Sequence, residues 1–304
     1  MIRILLVVMA ATLVGCLEVK NNANDYTEAQ FPDDTTEISV SNTASNTNNA
    51  LAGPGAAAGG GATGMGGEGG MMATPHWGYS GHEGPQHWGD LSPAFEQCKL
   101  GMEQSPIDIQ ASAATPTDLP NIHFNYQPFP LEIVNNGHTI VINVEEGSHI
   151  EVGGSVYELI QFHFHALSEH TIDGQHSPME VHFVHANARG SLAVVGAMME
   201  VGPTEHPDYA AIWAHLPQQK GMPHQVASVM VDATDLMPMS QQSYRYAGSL
   251  TTPPCSEGVA WHVLTDPVML SQAQIDAFTA IYDHNYRPVG DLHGRQVLLD
   301  NTGP

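Results

Sequence analysis

Polar and apolar positions alternate with period two in two short segments. That spacing belongs to β-strands, whose side chains point to opposite faces in turn. In Gln161-Phe162-His163-Phe164-His165 the odd positions are polar and the even ones aromatic. The pattern predicts a strand with Gln161, His163 and His165 on one face and the phenylalanines turned to a core. The second segment, Glu180-Val181-His182-Phe183-Val184-His185, puts Glu180, His182 and Val184 on one face and Val181, Phe183 and His185 on the other. Between the two stands Asp173-Gly174, a strong turn signal, so the strands are expected as neighbours in an antiparallel sheet. Asn135-Asn136-Gly137, just before His138, marks another turn.

The N-terminal pattern is of another kind. Arg3 precedes an apolar run from Ile4 to Val14, which reads as an export signal. The run is too short for the roughly 20 residues that a bilayer-spanning helix needs. It ends in Leu13-Val14-Gly15-Cys16, which resembles the bacterial lipoprotein cleavage site. Residues 1–15 would then be removed and Cys16 would carry lipid. Residues 16–74 are dominated by Asn, Thr, Ala and Gly, with glycine runs near Gly60 and Gly67. Such a stretch buries little apolar surface and is expected to be a flexible stalk. Aromatic residues are spread through residues 75–304, which are enough for one sizeable core and a single folded domain.

Charge and cysteine count narrow the setting. Lys and Arg number 8 against 32 Asp and Glu, a formal net charge of −24, and the imbalance persists after residue 74. An acidic surface repels phosphate backbones and anionic membranes, which excludes nucleic acid as a partner and leaves the lipid as the only expected membrane contact. The 3 cysteines are an odd number for an exported protein. Lipidation of Cys16 leaves Cys98 and Cys255 free to pair in an oxidising compartment or to stay as two buried thiols.

All 18 histidines lie after residue 75. His163 and His165, two apart on one strand face, sit roughly 6.6 to 6.8 Å apart at the backbone. Their rings can converge on one ion with Zn–N bonds of about 2.0 Å, and His182 supplies a third ligand. Three neutral imidazoles leave the fourth tetrahedral position open, the mark of a catalytic zinc. Glu180 and Gln161 share faces with His182 and His163 and could accept the protons of their outer ring nitrogens, fixing tautomer and basicity.

These segments belong to a longer series that resembles the alpha carbonic anhydrases from about Pro75 to Leu299. In order, it runs His76-Trp77-Gly78-Tyr79, Gln104-Ser105-Pro106-Ile107-Asp108, Asn136-Gly137-His138, the two histidine strands with Ser168-Glu169-His170 between them, Leu250-Thr251-Thr252-Pro253-Pro254, Gly258-Val259-Ala260-Trp261 and Asn285-Tyr286-Arg287-Pro288. The resemblance implies a mainly β (α+β) fold: one domain around a large, twisted, mostly antiparallel sheet with short surface helices. It implies a zinc enzyme (cofactor Zn2+) held by His163, His165 and His182, with Gln161, Glu180 and the carbonyl of Asn285 orienting them. The reaction would be reversible hydration of carbon dioxide by a zinc-bound hydroxide, carbonic anhydrase itself being the standard case of a zinc water with a pKa of about 7.

The same resemblance gives further residues their expected parts. Thr251 would donate to Glu169 and accept from the hydroxide, with Thr252 beside it. Val184, Val194, Leu250, Val259 and Trp261 would form the hydrocarbon wall against which CO2 rests. His138 would shuttle the proton to buffer, as an imidazole with an ordinary pKa of about 6.5 can. Cys98 and Cys255 would form a disulfide. His170, His185 and Arg287 would be structural, and the remaining histidines, including His206, His215 and His224, would lie at the surface. Sulfonamides and anions are the expected inhibitors, a homodimer the expected self-association, and the cell envelope the expected location, periplasmic or at the surface face.

Two other readings compete. His163-x-His165-x-x-x-Glu169 fits the metal motif of cupins, which hold iron or manganese in a jelly roll; Thr251 and the Glu180 strand have no place in that scheme. A catalytically inactive, carbonic anhydrase-like binding module would be expected to lack zinc histidines, and all three are present.

Overall fold

In a computed structural model the described residues are 75–301; the signal, the stalk and Cys16 lie outside them. Eight strands carry the argument: β1 Phe129–Asn135, β2 Ile140–Asn143, β3 Ser155–His165, β4 Met179–Ala186, β5 Leu192–Val201, β6 His224–Val231, β7 Ser243–Ser249 and β8 Glu257–Leu264. They lie in one 13-stranded sheet in the order β6-β1-β2-β3-β4-β5-β8-β7, continued by Leu298–Asp300 and Thr115–Thr117. Neighbours are antiparallel except at β5–β8 and where Leu298–Asp300 meets Thr115–Thr117. The fold is mainly β with short helices, built on one large mixed sheet with a small two-stranded sheet beside it and not a jelly roll, which removes the cupin reading. Among the described residues no helix is long and apolar enough to cross a membrane.

One face of the sheet packs on two helices, α1 Pro207–Trp213 and α2 Gln272–Thr279. Pro207 opens α1, where its missing N–H costs nothing and its fixed φ suits the first turn. At α2, the Ser271 side chain accepts the Gln274 N–H while the Gln274 side chain accepts the Ser271 N–H, satisfying two helix-end donors reciprocally. Gln274 also bonds the main chain of His206, tying the two helices together. Against them lies the larger core, in which Phe164 meets Tyr209, Trp213 and Phe278 edge-on at 6.1, 5.0 and 5.8 Å.

A bulge in β3 decides which side chains face that core. Its register with β4 shifts between Leu159 and Gln161. Before it, Tyr157 and Leu159 are buried; after it, Phe162 and Phe164 are. The extra residue flips the parity of the strand, so Gln161, His163 and His165 come to the opposite face. Asp173 and Gly174, at φ 50 and 77, form the tip of a two-residue hairpin closed by bonds between Ile172 and Gln175.

Candidate metal centre

β3 and β4 pair so that His163 stands opposite His182, with His165 two residues on. The three rings lie 4.6 to 5.3 Å apart by centroid, and one nitrogen from each falls within 4.8 Å of the others. The outer nitrogens are all engaged. His163 Nδ1 meets Gln161 Oε1 at 2.9 Å, His165 Nδ1 donates to the Asn285 carbonyl at 2.7 Å, and His182 Nε2 donates to Glu180 Oε1 at 2.9 Å. A carbonyl can only accept, so the proton of His165 sits on Nδ1 and its Nε2 keeps a lone pair. That Nε2 is buried with no hydrogen-bond partner. A buried, unsatisfied nitrogen aimed among two other imidazoles is what a metal ion would satisfy.

Burial also keeps these rings neutral. It pushes His163 well below its ordinary value, with help from His165 and His182, and brings His165 down to about 4. His182 is lowered by burial against the opposing pull of Glu180. Neutral imidazoles need release no proton before binding a cation at pH 7. The donor set of three histidine nitrogens suits zinc.

Glu180 is fully buried and saturated. Its Oε1 accepts from His182 and from His170 Nδ1 (2.8 Å), and its Oε2 accepts the backbone N–H of Glu169 and of His170 at 2.8 and 2.9 Å. Burial alone would raise this carboxyl, but His170 and His182 together hold it well below the usual carboxylate range. His170, Glu180 and His182 also gather closely enough to suggest a second metal group, yet their facing atoms are spent on one another.

From His170 the bonds run on to residues that strand patterns did not single out. His170 Nε2 meets the Tyr246 hydroxyl at 2.6 Å, and Tyr246 in turn meets Ser105 Oγ at 2.8 Å. Ser105 Oγ accepts the Ser249 N–H, and the Ser105 N–H donates to Ser249 Oγ. Gly248 allows this approach, since a Cβ there would lie 2.2 Å from Ser105 Oγ. Ser249 leads directly into Leu250-Thr251-Thr252, so a continuous chain of hydrogen bonds joins His182 to that loop.

Thr251 is buried and Thr252 half-buried. Glu169 has no exposed surface and accepts the Arg287 N–H on Oε1 at 2.8 Å. Burial pushes Glu169 up to about 7, opposed by His182, by the Thr251 hydroxyl and by the Arg287 N–H. Cys98 and Cys255 are joined as a disulfide, and Cys255 N–H donates to the Thr252 carbonyl at 2.8 Å. Arg287 binds the Cys98 and Ser105 carbonyls and Gln104 Oε1, and Gln104 Nε2 binds the Cys255 carbonyl. Val194, Val259 and Trp261 are buried in a second core cluster, with Val184 and Leu250 packed against it. Val194 lies beside Val184 in register on one side and beside Trp261 on the other.

His138 stands at the β1–β2 turn, its ring stacked on Trp77 at 3.7 Å and 8°. Its pKa is pushed down to about 4 by burial, by Lys220 and by His76, below the ordinary imidazole value expected for it. His185, on the opposite face of β4, meets the Tyr126 hydroxyl at 2.8 Å. The expectation that the remaining histidines lie at the surface fails at His262, which is fully buried on β8 opposite Arg245. Alternation explains it: His262 follows Trp261 in a strand covered on both faces.

The profile of the family described as eukaryotic-type carbonic anhydrase matches residues 83–301. A carbonic anhydrase of Nostoc is 40% identical over 74% of this chain and 86% of its own length. One from Pectobacterium carotovorum is 42% identical over 73% of this chain and 90% of its own. The solved alpha-carbonic anhydrase of Thermovibrio ammonificans, in complex with the inhibitor sulfanilamide, superposes with a TM-score of 0.72 at 42% identity, covering 74% of this chain and all of that one.

Proposed function

The chain belongs to the alpha carbonic anhydrase family, and on that premise we propose that it is a zinc-dependent enzyme that hydrates carbon dioxide reversibly to bicarbonate and a proton. The observation that carries this reading is the trio of half-buried His163 with buried His165 and His182, neutral, with every outer nitrogen bonded and one nitrogen of each facing the others. When bound there, zinc supplies Lewis-acid activation of water, for which carbonic anhydrase is the standard case.

The chain's own residues orient and clear the reaction. Gln161, Glu180 and Asn285 hold the three rings in the tautomers that leave lone pairs inward. Thr251 donates to Glu169 and keeps a lone pair that accepts only from a protonated nucleophile, which orients the attack. The Arg287 N–H on Glu169 favours the ionised carboxylate that this direction requires. Thr252 stands beside Thr251, half-buried. Val184, Val194, Leu250, Val259 and Trp261 offer CO2 an apolar surface with nothing to hydrogen-bond. His138 takes the product proton at a ring nitrogen and passes it to buffer.

Stopped-flow hydration of CO2 by protein carrying one zinc per chain, with and without sulfanilamide, tests this. Inhibitable turnover is expected; stoichiometric zinc without turnover would leave a binding module instead, and iron or manganese in place of zinc would refute the metal assignment. Export and lipidation of Cys16, with residues 16–74 as a tether to the cell envelope, complete the reading. They are supported by Arg3, the apolar run after it and the Gly15-Cys16 junction. Labelled palmitate entering wild type but not Cys16→Ser tests the anchor, and sedimentation tests the homodimer.

A further inference from the structure

His138 and Lys220 reach the same place from two loops that are pinned separately. The His138 N–H donates to Asn136 Oδ1 at 2.8 Å, its carbonyl accepts Asn285 Nδ2 at 3.1 Å, and its ring lies flat on Trp77. The loop holding Lys220 is tied to β1 on either side of that residue. Asn135 Nδ2 donates to the Pro217 carbonyl at 3.2 Å, and the Gly221 N–H donates to the Asn135 carbonyl at 3.0 Å. Between them lies Gly137, at φ +93. A Cβ there would come within 2.8 Å of Lys220 Cδ and 3.2 Å of Nζ, so the lysine stem crosses the turn where only glycine leaves room. Among the described residues, no ion pair neutralises this ammonium.

We infer that Lys220, laid over the Gly137 turn, is a positioning residue for proton transfer: its ammonium adds to burial in disfavouring the protonated His138 imidazole and limits how readily that ring takes a proton from the metal centre. The groups facing His138 come from every segment packed on it. The N-terminal segment brings Trp77 and the imidazole of His76, 6.4 Å away by ring centroid; the segment after α2 brings the uncharged Asn285, with the Tyr282 hydroxyl turned to Asn135. Lys220 is the fixed charge laid over the His138 turn; the Glu83 carboxylate of the N-terminal segment is turned to His76 Nδ1 at 3.1 Å. In a chain with net charge −24, a lysine beside this one histidine opposes the general trend, which would raise imidazole basicity. The lowered pKa of His138, from burial first and Lys220 next, agrees in direction.

The electrostatic coupling does not depend on the shuttle reading of His138; its consequence for turnover rests on that reading. NMR titration of the His138 ring in the zinc-loaded full chain, assigned with His138→Ala, measures the coupling directly. In Lys220→Gln the midpoint is expected to rise by roughly half a pH unit or more, and in Lys220→Arg it should stay where it is in wild type. Turnover in weak buffer near neutrality should rise about twofold to threefold in Lys220→Gln, as the ring's affinity approaches the working pH. If Lys220→Gln does not fold, Lys220→Met removes the same charge while keeping the apolar stem over the turn, and the same rise in the His138 midpoint is expected. A midpoint unmoved by whichever neutral variant folds would overturn the inference. A midpoint that moves while His138→Ala hydrates CO2 at the wild-type rate in weak buffer would support the coupling and sink the shuttle reading instead.

Discussion

His163 and His182 face each other directly across the β3–β4 pair, their rings 5.3 Å apart and nearly perpendicular. Adjacent strands of a large sheet, and not loops, therefore set the spacing of the metal-facing nitrogens, which limits how far the site can loosen. Removing one side chain should leave the sheet intact and the ion without a full set. His182→Ala is expected to fold with unchanged circular dichroism, to bind well under one zinc per chain by elemental analysis, and to lose CO2 hydration. Full activity in that variant would end the zinc reading.

Glu180 spends all four of its lone-pair directions on His182, His170 and two backbone N–H groups. Glu180→Gln turns one accepting oxygen into a donor that faces N–H groups. Zinc affinity should fall about 10- to 100-fold, the usual cost of disturbing a partner of a ligating histidine, measured by competition with a chelator. Tyr246→Phe removes only the remote end of the same chain and should cost less.

Sequence pattern reached the centre of this site because alternation around His163, His165 and His182 is local information. It did not reach the bulge at Leu159 and Gln161. Nothing in Ser155–His165 marks where parity flips, and the register is set by pairing with β4. The Asn285 carbonyl that orients His165 is 120 residues away and, being backbone, leaves no trace in residue type; only family resemblance pointed to it. Tyr246 and Ser105 are joined through space in the same way. His262 departs from the surface position expected of it because its strand, Glu257–Leu264, is apolar from Val259 onward apart from this residue, a run that goes with burial on both faces. Lys220 did carry a signal, as a rare cation in an acidic chain.

His185 makes stability depend on pH. Burial holds its folded pKa down to about 3, against about 6.5 in the unfolded chain. Below pH 6.5 the unfolded chain takes up a proton that the folded one refuses, so stability is fully present above that pH and is lost as pH falls towards 3. At pH 5 the loss from this residue should reach about 2 kcal/mol. Urea denaturation at pH 7 and pH 5, with zinc in excess, should show His185→Gln losing about that much less than wild type; equal losses would refute it.

The disulfide closes a loop of 157 residues in sequence separation. On the chain-entropy account it restricts the unfolded chain by roughly 5 kcal/mol. Cys98→Ser/Cys255→Ser should therefore show a denaturation midpoint well below that of wild type, with zinc content retained because neither sulfur touches the three histidines. The same variant frees the segment after Thr252, whose carbonyl is held by Cys255 N–H, so turnover should fall more than zinc affinity does.

Thr251 separates orientation from metal binding most directly. Glu169 beside it is fully buried, is lowered by the Thr251 hydroxyl, and is otherwise anchored by the Arg287 N–H. In Thr251→Ala the carboxylate loses that hydroxyl, so its pKa should rise further, and on the proposed mechanism the nucleophile loses the acceptor that fixes its direction. Loss of orientation on this scale costs about 10²-fold in kcat/KM for CO2 hydration. Thr251→Ser keeps the hydroxyl and should retain most of the activity, while both variants bind one zinc per chain because the histidine partners are untouched. If Thr251→Ala with a full complement of zinc hydrates CO2 at the wild-type rate, the hydroxyl has no part in orienting the attack. If instead both variants lose zinc, the residue supports the fold of the loop and not the chemistry.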